Sequence, residues 1–152
     1  MELIHELISE FGVALGLPQL TLDENNCCTL QFDDVMVNME YLPDTNEFYF
    51  YSRIGSIPAD GEDRLRVFAE LLESNCFYRR TSGGVLGIDA SQNTIIYTNK
   101  TNSKGLDAIT FCNYMEAFIN LAEEFSKELQ KKSSEKISAR GDEMPPVQKI
   151  RV

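Results

Sequence analysis

The sequence is poor in the residue types on which most enzyme and metal sites depend. It has one histidine, His5, and no tryptophan. Its four cysteines show no CxxC spacing, and Cys27 and Cys28 are adjacent, which does not suit a disulfide framework. No nucleophile elbow or cofactor fingerprint is present. We therefore expect reduced, structural cysteines, no metal site, no cofactor and no catalytic residue.

Long apolar runs are also missing. No stretch approaches the roughly 18 apolar residues that a membrane-spanning helix needs. The N-terminal segment MELIHELISE carries acids where a secretory signal carries basic residues. These features predict a cytoplasmic protein.

Positive charge is scarce over most of the chain. The 152 residues include 24 acids and 14 lysines and arginines, a formal net charge of −10. Residues 131–152 hold six of the basic residues and three acids, which leaves residues 1–130 with a formal charge of −13. Such a body disfavours nucleic acid and anionic membranes, and it favours solubility and basic protein partners.

The length is typical of one domain with its own core. We assign residues 1–130 to an α+β domain. From residue 131 onward the apolar periodicity is lost and Ser, Gly and Pro increase. This composition predicts a flexible basic tail over residues 131–152.

The first half of the chain predicts one helix and three strands. Apolar residues at helical spacing predict a helix over residues 2–15, which ends at Gly16 and Pro18. Alternating or aromatic runs predict strands over residues 28–32, 35–41 and 47–52. Asp33-Asp34 and the Pro43–Asn46 segment supply the turns between them.

The second half begins with a helix for which Asp60 is the predicted N-cap. Its apolar residues form two stripes, so the helix is expected to pack on its own sheet and on something further. Asn75 tolerates the left-handed conformation in which many helices end, and Arg79 and Arg80 predict an exposed basic elbow. One stripe holds Leu65, Phe68, Ala69 and Leu72, and the other holds Val67 and Leu71.

A glycine pair follows this helix. Gly83 and Gly84 allow backbone conformations that other residues avoid. They lead into two predicted strands around Val85–Ile88 and Ile95–Tyr97, joined by a polar turn. A third and longest helix is predicted over residues 107–131, with Asp107 as its cap.

Simple geometry indicates that such a domain needs a partner. A five-stranded sheet is about 24 Å wide at roughly 4.8 Å per strand, whereas one helix covers about 10 Å of that width. Three helices can therefore cover one face well and the other only in part. A second copy of the chain or a bound protein is expected to shield the remainder.

The central stretch carries a family resemblance. Leu71-Leu72-x-x-Asn75, the Gly83-Gly84 pair and the strand Val85–Asp89 stand in an order similar to that of class I type III secretion chaperones, the Tir-chaperone-like family. The resemblance implies a single α+β domain in the order α-β-β-β-α-β-β-α, with a twisted antiparallel sheet, three helices and a homodimer. It also implies binding of the N-terminal chaperone-binding region of secreted effector proteins, which is kept extended for export, and a second contact with the secretion ATPase.

Positions within the predicted elements give candidate sites, although the same residues could equally be ordinary core. For the effector-binding groove, the candidates are Leu7, Phe11, Leu30, Phe32, Val37, Phe48 and Phe50. For the dimer interface, they are Phe68, Leu71, Leu72, Val85 and Leu86.

Two other functions remain open at this point. An acidic adaptor or inhibitor could present the −13 body to a basic protein surface. The affinity for such a partner would fall steeply as the salt concentration rises. A small-molecule sensor would require a closed apolar cavity of several hundred cubic ångström.

Overall fold

The computed structural model describes the backbone of residues 2–141 and the side chains of residues 2–132. Within this part the elements follow the predicted order. They are α1 (Glu2–Ala14), β1 (Cys27–Phe32), β2 (Val35–Leu42), β3 (Glu47–Ser56), α2 (Gly61–Asn75), a 3-10 turn (Cys76–Tyr78), β4 (Val85–Asp89), β5 (Thr94–Asn102) and α3 (Ala108–Gly141).

The strands form one antiparallel sheet in the spatial order β1-β2-β3-β5-β4. The Asp33-Asp34 turn is confirmed, since Phe32 pairs with Val35 and Asp33 has φ 47°. β3 is longer than predicted and continues to Ser56 through a bulge. The predicted α+β architecture is therefore confirmed, and β1 and β4 are the two edges of the sheet.

Aromatic packing holds the helices on one face of the sheet. Phe48 and Phe50 of β3 are fully buried and meet Phe111 of α3, with 4.9 Å between the ring centroids of Phe48 and Phe111. Phe11 of α1 lies 4.7 Å from the same Phe111 ring. Aromatic pairs at such distances stabilise the fold beyond the effect of the area that they bury. Since α1 and β3 both contact the Phe111 ring, α3 is the central helix of the layer.

Both predicted helix caps are confirmed. The Asp60 carboxylate accepts hydrogen bonds from the backbone N–H groups of Glu62 and Asp63, at 3.0 and 3.1 Å. The Asp107 carboxylate accepts from the N–H of Thr110 at 2.7 Å, and this bond lowers the pKa of Asp107. These bonds satisfy N–H groups that a helix start leaves without a partner.

The end of α2 differs from the prediction. Asn75 has a right-handed φ of −73°, and the left-handed residues are Phe77 and Tyr78, with φ 60° and 56°. The chain therefore turns two residues later than expected, through aromatic residues. Asn75 keeps a helical backbone while its side chain reaches a strand, as described below.

The predicted basic elbow is confirmed, since Arg79 and Arg80 are both exposed. Arg80 also forms a two-pronged ion pair with the Glu128 carboxylate and donates to Ser74 Oγ at 3.1 Å. Its guanidinium also lies 5.4 Å from the centre of the Phe125 ring. Arg80 thus joins the turn after α2 to α3.

The third helix extends beyond its predicted end. α3 continues to Gly141, ten residues past residue 131. The rest of the predicted tail, residues 142–152, lies outside the described residues. The division of the chain at residue 131 stays a prediction.

The glycine pair has two different roles. Gly83 has φ +85°, a left-handed conformation that side chains disfavour. Gly84 is buried, and a Cβ built there would lie 2.6 Å from both the Thr98 carbonyl oxygen and Tyr97 Cε2. The absence of a side chain at Gly84 therefore lets the chain enter β4 directly against β5.

We expect Gly84→Ala to lower the free energy of unfolding by about 1–3 kcal/mol or more, because the new methyl group meets backbone that cannot move aside. Urea denaturation monitored by circular dichroism measures this change. Gly61→Ala is the matched control, since a Cβ at Gly61 has no neighbour within 4 Å. Equal stability of the two variants would contradict the close approach at Gly84.

Candidate functional site

The two faces of the sheet are covered unequally. Alternate residues of β2 and β3, such as Val37, Met39 and Phe50, are buried under the helices. α3 contacts β2 and β3, and α1 and α2 lie beside α3. On the other face Met36, Tyr51 and other side chains are exposed. Among the described residues no helix covers that face, in agreement with the expectation from the width of the sheet.

The edge at β4 is closed by a side chain. The amide of Asn75 donates from Nδ2 to the carbonyl oxygen of Leu86 at 2.8 Å, and its Oδ1 accepts from the N–H of Leu86 at 2.8 Å. Leu86 thus has both backbone groups directed away from β5. At Leu86, the second residue of β4, the amide occupies the position that the backbone of an added strand would take.

The edge at β1 is closed at its start only. Asp23 bonds both backbone groups of Cys27, since its N–H donates to the Cys27 carbonyl and its carboxylate accepts from the Cys27 N–H. In an antiparallel ladder, residues alternate between facing the neighbouring strand and facing away. Thr29 and Gln31 therefore direct their N–H and C=O groups outward. These four groups are the free edge of the sheet.

Apolar side chains lie beside this free edge. Leu20, Cys28 and Phe32 are partly buried and pack at the margin of the core. On α1, Leu3 and Val13 are exposed. The free edge of β1 together with Cys28 and Phe32 is called the β1 margin below.

Burial makes the thiols at this margin unreactive. It raises the pKa of Cys28 to about 11 and also raises the pKa of Cys27. All four cysteines are free. A thiol with a raised pKa stays protonated near neutral pH.

A second apolar surface lies at the opposite end of the sheet. Leu72 on α2 is 71% exposed, and Phe77 in the following turn is 81% exposed. Leu65 lies on the same stripe of α2 as Leu72, and Ile88 of β4 is also exposed. Exposed apolar side chains on neighbouring elements are candidates for a protein interface. Ile88 shares the face of β4 that carries Leu86, whereas Val85 lies on the other face. We call Leu65, Leu72, Phe77, Val85 and Ile88 the α2 surface.

Most of the predicted groove residues are buried in the core. Their burial favours the other interpretation given above, that they are ordinary core residues. Phe32 is the exception, because it is half-buried within the β1 margin. Whether any of them contacts a partner stays a prediction. The buried ones are Leu7, Phe11, Leu30, Val37, Phe48 and Phe50.

The predicted dimer residues fall into two groups. Leu72 and Val85 are exposed and belong to the α2 surface. Leu71 and Leu86 are buried where α2 meets β4, and Phe68 is partly buried. The residues in the second group hold α2 against the sheet.

Sequence analysis missed Asn75 as an edge cap and Thr29 and Gln31 as open edge positions. The alternation of polar and apolar residues in β1 was a usable signal for Thr29 and Gln31. No sequence signal marked Asn75, because its partner Leu86 is eleven residues away and the bond depends on how α2 packs against β4.

Among residues 2–132, whose side chains the structure describes, no group of three potential metal ligands comes together. None of the helices in this part of the chain is both long and apolar enough to cross a membrane.

The sequence profile of the Tir chaperone protein (CesT) family matches residues 6–126. The chain belongs to this family. The suspected resemblance to class I type III secretion chaperones is thereby confirmed.

Similar proteins agree with the family assignment. A protein of Chlamydia pneumoniae is 23% identical over 128 residues, which cover 84% of this chain and 96% of that protein. Among solved structures, the ExsC–ExsE complex has a chain with a TM-score of 0.71 and 23% identity, covering 82% of this chain and 91% of that one. The Yersinia pestis type III secretion chaperone SycH, solved with a fragment of YscM2, gives a TM-score of 0.61 and 15% identity, covering 80% and 98%.

Asn75→Ala is expected to lower the free energy of unfolding by about 1–3 kcal/mol, because it removes two hydrogen bonds from Leu86. Asn75→Asp should cost at least as much, since an ionised carboxylate only accepts and its second oxygen would face the Leu86 carbonyl oxygen. Asn120→Ala, at an exposed position on α3, is the control. Thermal and urea denaturation give the values, and an Asn75→Ala protein as stable as the control would contradict the edge cap.

Proposed function

We propose that this protein is a cytoplasmic type III secretion chaperone that binds the N-terminal chaperone-binding region of effector proteins as an extended segment. The observation that carries this function is the β1 margin, where an open strand edge lies beside apolar side chains. The fold shared with SycH, a chaperone that holds a fragment of YscM2, supports it. Binding an extended segment does not require the protein to make or break a covalent bond, so we expect no enzymatic activity.

The cargo would add a strand to the sheet. An extended peptide beside β1 can exchange hydrogen bonds with the outward N–H and C=O groups of Thr29 and Gln31. Alternate side chains of that peptide would then face the same side as Cys28 and Phe32. Backbone bonds tolerate many sequences and apolar contacts select among them, which suits a chaperone with more than one client.

The cargo is kept competent for export by the same geometry. A segment held as an extra strand has its backbone hydrogen-bonded to β1 along one side, and while it is held there it cannot fold into a domain of its own. Its release requires only separation of one strand edge. Delivery to the secretion ATPase is part of the proposal and follows from the family resemblance.

Gln31→Pro is expected to weaken cargo binding at least tenfold while the fold is retained. Proline removes the outward N–H, and edge strands accept proline where the N–H faces solvent. Gln31→Ala is the matched control, because it shortens the side chain and keeps the N–H. Calorimetry with a co-purified effector N-terminal fragment measures both. Equal affinities of the two variants would contradict strand addition at β1.

The α2 surface is proposed as the homodimer interface. It lies at the other end of the sheet from the β1 margin, so both protomers could carry cargo at once. Leu71 and Leu86 would fix α2 against β4 and so present Leu72 and Val85 to the partner copy. Phe68 would contribute its exposed part.

Light scattering should give about twice 17.2 kDa for the protein. Leu72→Asp should give a monomer, because a carboxylate would be buried in the interface without a partner. Leu3→Asp is the control, since Leu3 is an exposed helical leucine on α1. A dimer that survives Leu72→Asp would remove α2 from the interface.

An acidic adaptor or inhibitor is the alternative, favoured by the net charge of −10. Salt separates the two functions. Electrostatic binding to a basic surface should weaken steeply between low and high salt. Strand addition with apolar contacts should change little.

A further inference from the structure

The turn after α2 presents two aromatic rings on an unfavourable backbone. Phe77 and Tyr78 both have left-handed backbones, with φ 60° and 56°, a conformation that bulky side chains rarely adopt. Their rings are not buried in the protomer, since Phe77 is 81% and Tyr78 58% exposed. Burial of the rings therefore does not offset the cost of this backbone.

Contacts on both sides of the turn hold it in place. Before the turn, the Asn75 side chain bonds the backbone of β4. After it, the Thr81 carbonyl accepts a hydrogen bond from the Tyr97 hydroxyl at 2.9 Å, and Arg80 pairs with Glu128. A ring that an ordered segment presents in this way loses little conformational freedom when a partner covers it.

A cation without a partner follows these rings. Residues 1–130 contain eight lysines and arginines, and the side chains of six of them bond another group of the same chain. Among the described side chains, the other two, Arg79 and Lys104, make no hydrogen bond or ion pair. The six are Arg53, Arg64, Arg66, Arg80, Lys100 and Lys127.

An acid without a partner lies on the last turn of α2. Glu73 is exposed, and its carboxylate forms no ion pair within residues 2–132. The last turn of α2 contains no basic residue. Because the C-terminal end of a helix carries partial negative charge, an acid at this position is unfavourable. A cation from another molecule would remove that cost.

We infer that Phe77 is the anchor residue of the α2 surface, and that a second copy of the chain covers it and pairs the partner's Glu73 with Arg79. A two-fold axis makes each contact occur twice, so the two free charges of both protomers are all matched. The inference rests on the homodimer proposed above, and it adds which residues hold the two copies together.

Charge favours a second copy over other partners. The segment from Glu73 to Arg79 carries one free acid and one free cation beside exposed apolar side chains. A copy related by a two-fold axis offers the same pair of charges in the opposite order. A uniformly acidic or uniformly basic partner would leave one of the two charges beside a like charge, which is unfavourable.

Charge exchange tests the pairing. Arg79→Glu and Glu73→Arg should each raise the dimer dissociation constant at least tenfold, because each brings like charges together at both copies of the contact. An equimolar mixture of the two variants should dimerise again, since every contact in the mixed dimer joins an acid to a base. Sedimentation equilibrium measures all three samples.

Lys104→Glu is the matched control for Arg79→Glu, because it makes the same charge change at the other free cation. It should leave the dissociation constant nearly unchanged. A mixture that stays monomeric, or a similar loss of association in the Lys104→Glu protein, would overturn the pairing of Arg79 with Glu73.

Phe77→Asn tests the anchor without adding backbone strain, since asparagine tolerates a left-handed backbone. It should raise the dimer dissociation constant at least tenfold, because aromatic anchors carry much of the energy of an interface. Leu17→Asn, which changes an exposed leucine outside the α2 surface, is the control. Equal dissociation constants for the two variants would overturn the role of Phe77.

The outcomes separate this inference from the proposed function. If the unaltered protein is a monomer, the proposed homodimer fails and this inference fails with it. If the unaltered protein is a dimer and its dissociation constant is the same in all these variants, the homodimer is retained and only this inference is overturned.

Discussion

One layer of helices must cover a five-stranded sheet, and it covers one face. Phe111 and Phe118 of α3 lie over Phe48, Phe50 and Tyr97, and this aromatic contact ties α3 to the middle of the sheet. With α1 and α2 beside α3, the layer is complete on one side. That arrangement leaves one face of the sheet, the edge at β1 and one stripe of α2 uncovered. The surfaces available to a partner therefore result from how the helices pack.

The two edges of the sheet have different chemistry. At β4 a helix residue, Asn75, completes the hydrogen bonds of Leu86. At β1 an aspartate completes those of Cys27 and leaves the next outward positions open. A chaperone that works by strand addition benefits from this asymmetry, because the polypeptide can add at one defined place.

Local chemistry explains what the sequence could predict. The caps at Asp60 and Asp107, the Asp33-Asp34 turn and the left-handed Gly83 depend on neighbours within a few residues, and each was found as expected. The order of elements followed from periodicity and from the family resemblance. The two stripes of α2 were also visible, because helical spacing assigns Leu72 and Leu71 to different faces.

What escaped prediction depends on tertiary packing. Alternation showed that Phe48 and Phe50 share a face of β3, but it could not show that α3 covers that face and leaves the pair in the core. Loss of apolar periodicity suggested a helix end at residue 131, yet lysine and glutamate have good helix propensity and the backbone continues as a helix to Gly141. The bulge in β3 between Arg53 and Gly55 also escaped prediction, because no turn residue marks it in the sequence.

The amide at Asn75 also affects where a sheet of this kind can grow. A sheet with two open edges can take a strand on either side, and its complexes can grow end to end into fibres. At β4 the Asn75 side chain already bonds both backbone groups of Leu86, so a strand added there would have to displace it. A single side chain thus makes growth from this edge less favourable than growth from β1.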